Sequence, residues 1–336
     1  MKKIRIAING FGRIGRMTFR RLVSNPDIDV VAINDLTDTT TLAHLLRYDS
    51  VHGVFGAEIT HTADSLLVNG RRTFVYAEAV PDRLPWGTLD IDIVLEATGV
   101  FKDKKSAFQH IKAGARKVII SAPATSEGVK FIVIGINEQS ITSHDIIISN
   151  ASCTTNCVAP LIQVLDQYWG IEKGFITTVH SYTADQNLID APHKDLRRAR
   201  AAAVSIVPTT TGAAKAATHI FPHLTNNLAG CGIRVPVPDG SLTDFSCTLS
   251  EPASTEEINA AFRAASEGKF KGILQYTEDP IVSVDVIGNP HSAIFDAGLT
   301  SVLGDKNRLV KVVAWYDNET AYAARLTELI SIFDRI

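Results

Sequence analysis

Apolar positions along the first 150 residues fall into short β-branched runs separated by helically spaced stretches. Residues 4–8, 30–34, 93–96, 117–121 and 145–149 read as strands, and 15–23, 40–46 and 106–113 as helices. Alternation of this kind predicts a parallel sheet covered on both faces. After Cys153 the pattern changes. Longer strand-like runs at 174–182, 230–237, 243–250, 281–286, 292–296 and 309–316 predict a mostly antiparallel sheet, with turns at Pro238-Asp239-Gly240 and Gly304-Asp305-Lys306. Residues 256–265 form an amphipathic helix. A last helix at 320–336 carries Tyr322, Leu326, Leu329, Ile330 and Phe333 on a face that needs a partner. The expected class is α/β, a Rossmann-type doubly wound parallel sheet plus a second α+β domain, with a boundary near 150. Periodicity does not say which domain the last helix joins.

At 336 residues the chain is long enough for two domains. A formal net charge of −3 lacks the basic field that nucleic acid demands, so no nucleic-acid partner is expected. The N-terminal apolar run is too short and interrupted for a signal peptide, and no stretch approaches a membrane span. Cys153, Cys157, Cys231 and Cys247 are too few for a disulfide framework in a chain of this length. The C-x3-C pair has no His/Cys cluster to complete a zinc site, so no metal is expected, and a reducing cytoplasm is the simplest home.

Gly10-Phe11-Gly12-Arg13-Ile14-Gly15 follows a strand and opens a helix. Asp35 lies twenty residues beyond Gly15, just past the next strand. The glycines let the backbone approach a pyrophosphate at a helix N-terminus, and the carboxylate accepts from the adenosine ribose hydroxyls. A carboxylate there repels a 2′-phosphate, which argues for NAD over NADP. A glycine-rich turn without a ligand is the competing reading. Thr98-Gly99 and Ser121 follow further strand C-termini, where open α/β sheets bind ligands.

Ser149-Asn150-Ala151-Ser152-Cys153-Thr154-Thr155-Asn156-Cys157 precedes a mostly apolar run of helical length. It places Cys153 in a first helical turn, where amide N–H groups and the macrodipole favour thiolate. Taken alone, a small buried cysteine explains the same pattern. His180, on a strand 27 residues later, is a candidate base, although a lone strand histidine is commonly structural. The run Asp195-Leu196-Arg197-Arg198-Ala199-Arg200 is either a solvated face or a phosphate site. Thr209-Thr210-Thr211-Gly212-Ala213 reads as a loop entering a helix, a second anion site. Arg234, in an apolar run, calls for an anionic partner.

Together these segments, with Pro208 through Ala216 and Trp315-Tyr316-Asp317-Asn318-Glu319, resemble the phosphorylating glyceraldehyde-3-phosphate dehydrogenases of bacterial type over nearly the whole chain. The resemblance implies NAD-dependent oxidation of D-glyceraldehyde 3-phosphate to 1,3-bisphosphoglycerate through a thioester on Cys153, with His180 as base and inorganic phosphate as acyl acceptor. It implies cofactor binding by Gly10, Gly12, Arg13, Ile14, Asp35, Thr98, Gly99, Ser121, Asn318 and Tyr322. Ser152, Thr154, Thr183, Arg198, Thr211, Gly212 and Arg234 would hold phosphates. It also implies a cytoplasmic homotetramer in which residues near 180–205 lie between subunits, no membrane partner, and domains of 1–150 plus 316–336 and 151–315.

Three positions depart from the family pattern. Ala79 follows Glu78 where arginine is usual, Ala321 replaces a customary glycine, and Ala191-Pro192 stands where NAD-specific members carry Leu-Pro. Ala191 points to some NADP tolerance and Asp35 against it; the charge clash is the larger effect. Erythrose-4-phosphate dehydrogenase is the alternative within the fold, although the 211–215 loop resembles the triose enzyme. A catalytically silent binding protein is the alternative outside it, and the presence of Cys153, His180 and both arginines disfavours that.

Overall fold

The computed structural model describes residues 2–336, which divide into two compact units. The first contains residues 2–132, 138–151 and 323–336; the second contains 133–137 and 152–322. The expectation had assigned 316–322 to the first unit.

The first unit runs β1 (Ile4–Asn9), α1 (Arg13–Leu22), β2 (Ile28–Asn34), α2 (Thr39–Arg47), β3 (Ile59–His61), β4 (Ser65–Val68), β5 (Arg71–Tyr76), β6 (Ile93–Glu96), α3 (Lys104–Lys112), β7 (Lys117–Ile120), β8 (Lys130–Phe131) and β9 (Ile147–Ser149). Its nine strands lie in the order β3-β4-β5-β2-β1-β6-β7-β9-β8. From β5 to β8 every pairing is parallel, and only β3, β4 and β5 pair antiparallel. The chain steps from β1 to β2 on one side and later to β6 on the other, which makes the C-terminal end of β1 the place where order reverses and ligands bind. Ile6, Ile8, Ile33, Val94, Ile119 and Ile148 are buried along these strands. Caps set the helix starts: Asp38 accepts the Thr41 N–H ahead of α2, and Asp103 forms a capping box with Ser106 ahead of α3.

The second unit runs α4 (Cys153–Trp169), β10 (Ile171–Ser181), β11 (Val207–Thr209), α5 (Ala213–Ile220), β12 (Leu228–Val235), β13 (Ser241–Ala253), α6 (Thr255–Glu267), β14 (Leu274–Thr277), β15 (Ala293–Asp296), β16 (Ser301–Val302) and β17 (Asn307–Tyr316). A final helix, α7 (Thr320–Asp334), begins in the second unit and continues in the first. The sheet order is β11-β12-β10-β13-β17-β15-β14, with β16 on β17. Its pairings are antiparallel except β10 with β12 and β14 with β15.

One expected strand is absent. Residues 281–286 form no ladder, and Ser283–Val286 is a short 3-10 turn in which Asp285 accepts the Val282 N–H. Val282 and Val284 are more than half exposed, so their β-branched character records no sheet.

Gly15 and Gly12 differ in what they permit. A Cβ on Gly15 would lie 2.2 Å from the Gly10 carbonyl oxygen, whereas one on Gly12 would meet nothing within 4 Å. Gly15→Ala is therefore expected to lower unfolding stability by about 2 kcal/mol or more, and Gly12→Ala to leave it within about 0.5 kcal/mol. Urea denaturation of both variants measures the difference.

Candidate active site

Ser152 caps α4 by accepting the Thr155 N–H, so Cys153 is the helix's first residue. Its amide has no carbonyl partner within the helix, and the positive end of the dipole faces the thiol. Just before it, Ala151 is fully buried with a φ of +53°, a left-handed conformation costly for a residue with a Cβ. That strain turns the chain sharply into the helix.

His180 lies near the end of β10, and its Nε2 is 3.4 Å from Cys153 Sγ. In the parallel register of β10 and β12, His180 stands opposite Arg234. Arg234 Nη1 lies 2.7 Å from His180 Nδ1 and donates to the Ser181 carbonyl at 3.0 Å, while that carbonyl is also 2.7 Å from Nδ1. The ring thus has a donor and an acceptor at Nδ1, so either state of Nε2 finds a partner. Among the described residues no carboxylate bonds Arg234 directly. Its guanidinium bonds neutral acceptors, and Asp185 acts on it only through space.

Burial raises the Cys153 thiol, opposed by Arg234 and by the Thr154 hydroxyl and amide. Burial and then Arg234 push His180 down to about 3, opposed by the Ser181 carbonyl and Asp185. Undisturbed, the pair therefore rests as thiol and neutral imidazole, with the imidazole free to take the proton. Transfer creates opposite charges 3.4 Å apart, an attraction of about 4–5 kcal/mol at an effective dielectric of about 20. The two groups titrate as a unit. Cys157, one turn further along α4, is fully buried, and burial raises its thiol strongly. All four cysteines are free thiols.

Arg198, one of the expected phosphate ligands, acts on His180 through space. Arg198 Nε donates to the Thr209 hydroxyl at 2.9 Å and Nη2 to the Thr210 carbonyl at 3.4 Å, next to Thr211. Thr183 and Arg198 both bond the Asp185 carboxylate. Burial raises Asp185, but the Thr183 hydroxyl and the Arg198 and Arg234 guanidinium groups outweigh it and hold the carboxyl below its usual range. Asp185 thus occupies the cationic cluster that a phosphate would enter. Sequence reading missed it, although its place two residues after Thr183 was a legible sign of a Thr–Asp contact. Gly212 caps α5 with open space above it, and Thr211 Oγ1 accepts the Ala213 N–H at 3.2 Å. The Thr154 hydroxyl, which also acts on the Cys153 thiol, lies 2.9 Å from the Tyr316 hydroxyl, and that hydroxyl also meets Thr178.

Asn318 is held rigidly, because its Oδ1 accepts from the Ser181 and Ser241 hydroxyls, both at 2.8 Å. That orients the amide NH2 as the remaining donor. Asp317 fixes the backbone beside it by accepting the Glu319 and Thr320 N–H groups. Ala321 and Tyr322 are buried in the first turn of α7, where a helical backbone needs no glycine.

In the first unit the residues present fit a dinucleotide. No side chain caps α1, leaving its first amides to a ligand, and both Gly12 and Gly99 face open space. Ile14 lies in that first turn. Asp35 is pinned by the N–H groups of Phe11 at 2.8 Å and Thr37 at 3.0 Å. Thr98 is fixed by Glu96, and the Ser121 N–H bonds the Glu96 carbonyl. The Arg13 guanidinium is engaged by Asp49. Burial raises Asp49, but the His52 amide and Arg13 outweigh this and hold it down at about 2.

Residues 4–104 match the family described as glyceraldehyde 3-phosphate dehydrogenase, NAD binding domain, and residues 152–318 match the corresponding C-terminal domain. The chain is 53% identical to glyceraldehyde-3-phosphate dehydrogenase 2 of Streptomyces avermitilis, with 97% of each chain covered. It is 53% identical to the glyceraldehyde-3-phosphate dehydrogenase of Mycobacterium tuberculosis over 98% of each chain, and to that of Geobacillus stearothermophilus over 97% of each. With a dinucleotide cradle in one unit and a cysteine–histidine pair in the other, and with relatives matching from end to end, the chain belongs to the glyceraldehyde-3-phosphate dehydrogenase family.

Proposed function

We propose that the chain oxidises D-glyceraldehyde 3-phosphate with NAD and inorganic phosphate, forming 1,3-bisphosphoglycerate through a cysteine thioester. The observation that carries this reading is the 3.4 Å approach of a helix-N-terminal thiol to a strand imidazole backed by Arg234. His180 Nε2 takes the thiol proton, and the sulfur attacks the aldehyde carbon. The Cys153 N–H and the protonated ring then hold the hemithioacetal oxygen. The ring gives its proton to that oxygen, and the neutral ring then takes the hydroxyl proton back as the carbon–hydrogen bond breaks. Bound NAD supplies the hydride acceptor. A thioester remains on Cys153. An oxygen of inorganic phosphate attacks its carbonyl carbon, the carbon–sulfur bond breaks, and the thiolate is regenerated with an acyl phosphate as product.

Arg198, Arg234, Thr183, Ser152, Thr211 and Gly212 are assigned to the substrate and attacking phosphates, which would displace Asp185 from Thr183 and Arg198. Asp35 supports NAD over NADP, and the Asn318 amide is assigned to the nicotinamide carboxamide. Among the described residues no helix is long and apolar enough to cross a membrane, and a cytoplasmic location is proposed. Leu188, Ile189, Leu196, Val204 and Ile206 are each at least 70% exposed in one segment, which supports burial of that segment between subunits of a tetramer.

Steady-state rates with NAD and NADP against the triose and tetrose phosphates test the assignment. The triose phosphate with NAD is expected to be fastest and to depend on phosphate or arsenate. Faster turnover of erythrose 4-phosphate would favour the alternative. Cys153→Ser is expected to lower activity at least about 1000-fold while NAD binding persists; retained turnover would remove Cys153 as the nucleophile.

Alkylation by iodoacetamide probes the pair directly. Burial raises the thiol, so without a nearby acceptor the thiolate forms only at higher pH. His180→Asn is expected to slow Cys153 alkylation about tenfold at pH 7 and to move its rate profile to the alkaline side. An unmoved profile would show that His180 does not accept the proton.

The oligomer is checked by sedimentation, with an expected mass of four times the 36.4 kDa chain. Leu188→Asp with Val204→Asp is expected to yield smaller species, and an unchanged tetramer would place the interface elsewhere.

A further inference from the structure

Three neighbouring parallel strands of the first unit end on buried polar residues. Asn34 closes β2, Asn9 closes β1 and Glu96 closes β6. In the sheet, Asn9 is registered with Asn34 on one side and Glu96 on the other. All three are at most 5% exposed, as are Trp86 and His110 behind them. Apolar residues would fill such positions with no hydrogen bonds to satisfy.

The direction of every bond in this group is set from one end. The Trp86 indole N–H can only donate, and it reaches His110 Nδ1 at 3.0 Å. His110 therefore carries its proton on Nε2 and donates to Glu96 Oε2 at 3.0 Å. A doubly protonated ring would set two N–H groups against each other. Asn9 Nδ2 donates to the same Oε2 at 2.6 Å, and Asn9 Oδ1 accepts from Asn34 Nδ2 at 2.7 Å. Asn34 also bonds both the N–H and the carbonyl of Glu78, each at 2.9 Å. The other Glu96 oxygen accepts the N–H of Thr98 at 2.8 Å and its hydroxyl.

Each member borders a loop that carries cofactor residues. Asn9 precedes Gly10, Asn34 precedes Asp35, Glu78 precedes Ala79, and Glu96 grips Thr98 beside Gly99. We infer that Trp86, His110, Glu96, Asn9 and Asn34 form a buried positioning network that holds these loops in one register for NAD. The inference rests on the NAD reading above. His110 and Glu96 touch no ligand; they act through Thr98, Asn9 and Asn34. Loss of one donor or acceptor leaves a buried group unmatched, and the loops on either side of β1 lose their common anchor.

His110→Leu and His110→Gln separate this role from plain core filling, because glutamine offers an acceptor and a donor in the same order as the ring. Calorimetric titration with NAD is expected to show about tenfold weaker binding for His110→Leu, equivalent to about 1.4 kcal/mol, and return to within about twofold for His110→Gln. The KM for NAD should rise in the leucine variant while kcat stays within about twofold. The Cys153 alkylation rate, a reading of the second unit, should not move. Wild-type NAD affinity in His110→Leu, whatever its melting temperature, would overturn the inference, and so would a glutamine variant as weak as the leucine one. If His110→Leu does not fold, Glu96→Gln makes the same test, since its amide turns a donor toward donors. Failure of the unaltered chain to bind NAD would instead overturn the functional reading.

Discussion

The catalytic unit depends on one contact, the approach of Cys153 Sγ to His180 Nε2, and that contact requires a helix to start opposite the end of a strand. Two local features produce it. Ala151 accepts a left-handed backbone so that the chain can turn, and Ser152 supplies the cap that makes Cys153 the first helical residue. The third is the β10–β12 register, which brings Arg234 to the far side of the imidazole. Without the guanidinium, Nδ1 would keep only the Ser181 carbonyl as a partner.

The charges near the pair are arranged as a placeholder. Thr183 and Arg198 already bond a carboxylate, and Arg234 senses the same group through space. Asp185 satisfies a cationic cluster that would otherwise repel itself, and it keeps those side chains extended toward one point. On the proposed reading, an entering phosphate would exchange one anion for another, so the cluster would not be rebuilt at each turnover.

Much of this was legible in the residues. The glycine-rich loop with Asp35 at its spacing, the capped thiol and the alternation of the first 150 residues each follow from short-range rules, and the structure places them as those rules require. What escaped depended on pairing across the chain. The β4–β5 hairpin turns at Asn69-Gly70, both with positive φ, a strong turn signal between two short strands. Residues 281–286 have strand composition but no neighbour to pair with. The contact of the Thr154 hydroxyl with Tyr316 joins residues far apart in the chain, which no local pattern names. The partner of Arg234 could not be named for the same reason, since β12 reaches His180 from 54 residues away.

The polar strand ends bear on how this sequence can change. Asn9, Asn34 and Glu96 share acceptors and donors in a fixed direction, so a single replacement at any of them strands its neighbour, while a concerted exchange of two restores the match. Asp35, next to Asn34, is held instead by the backbone N–H groups of Phe11 and Thr37, so no second side chain has to change with it. Variation at 35 can proceed step by step, and variation at 34 must travel in company.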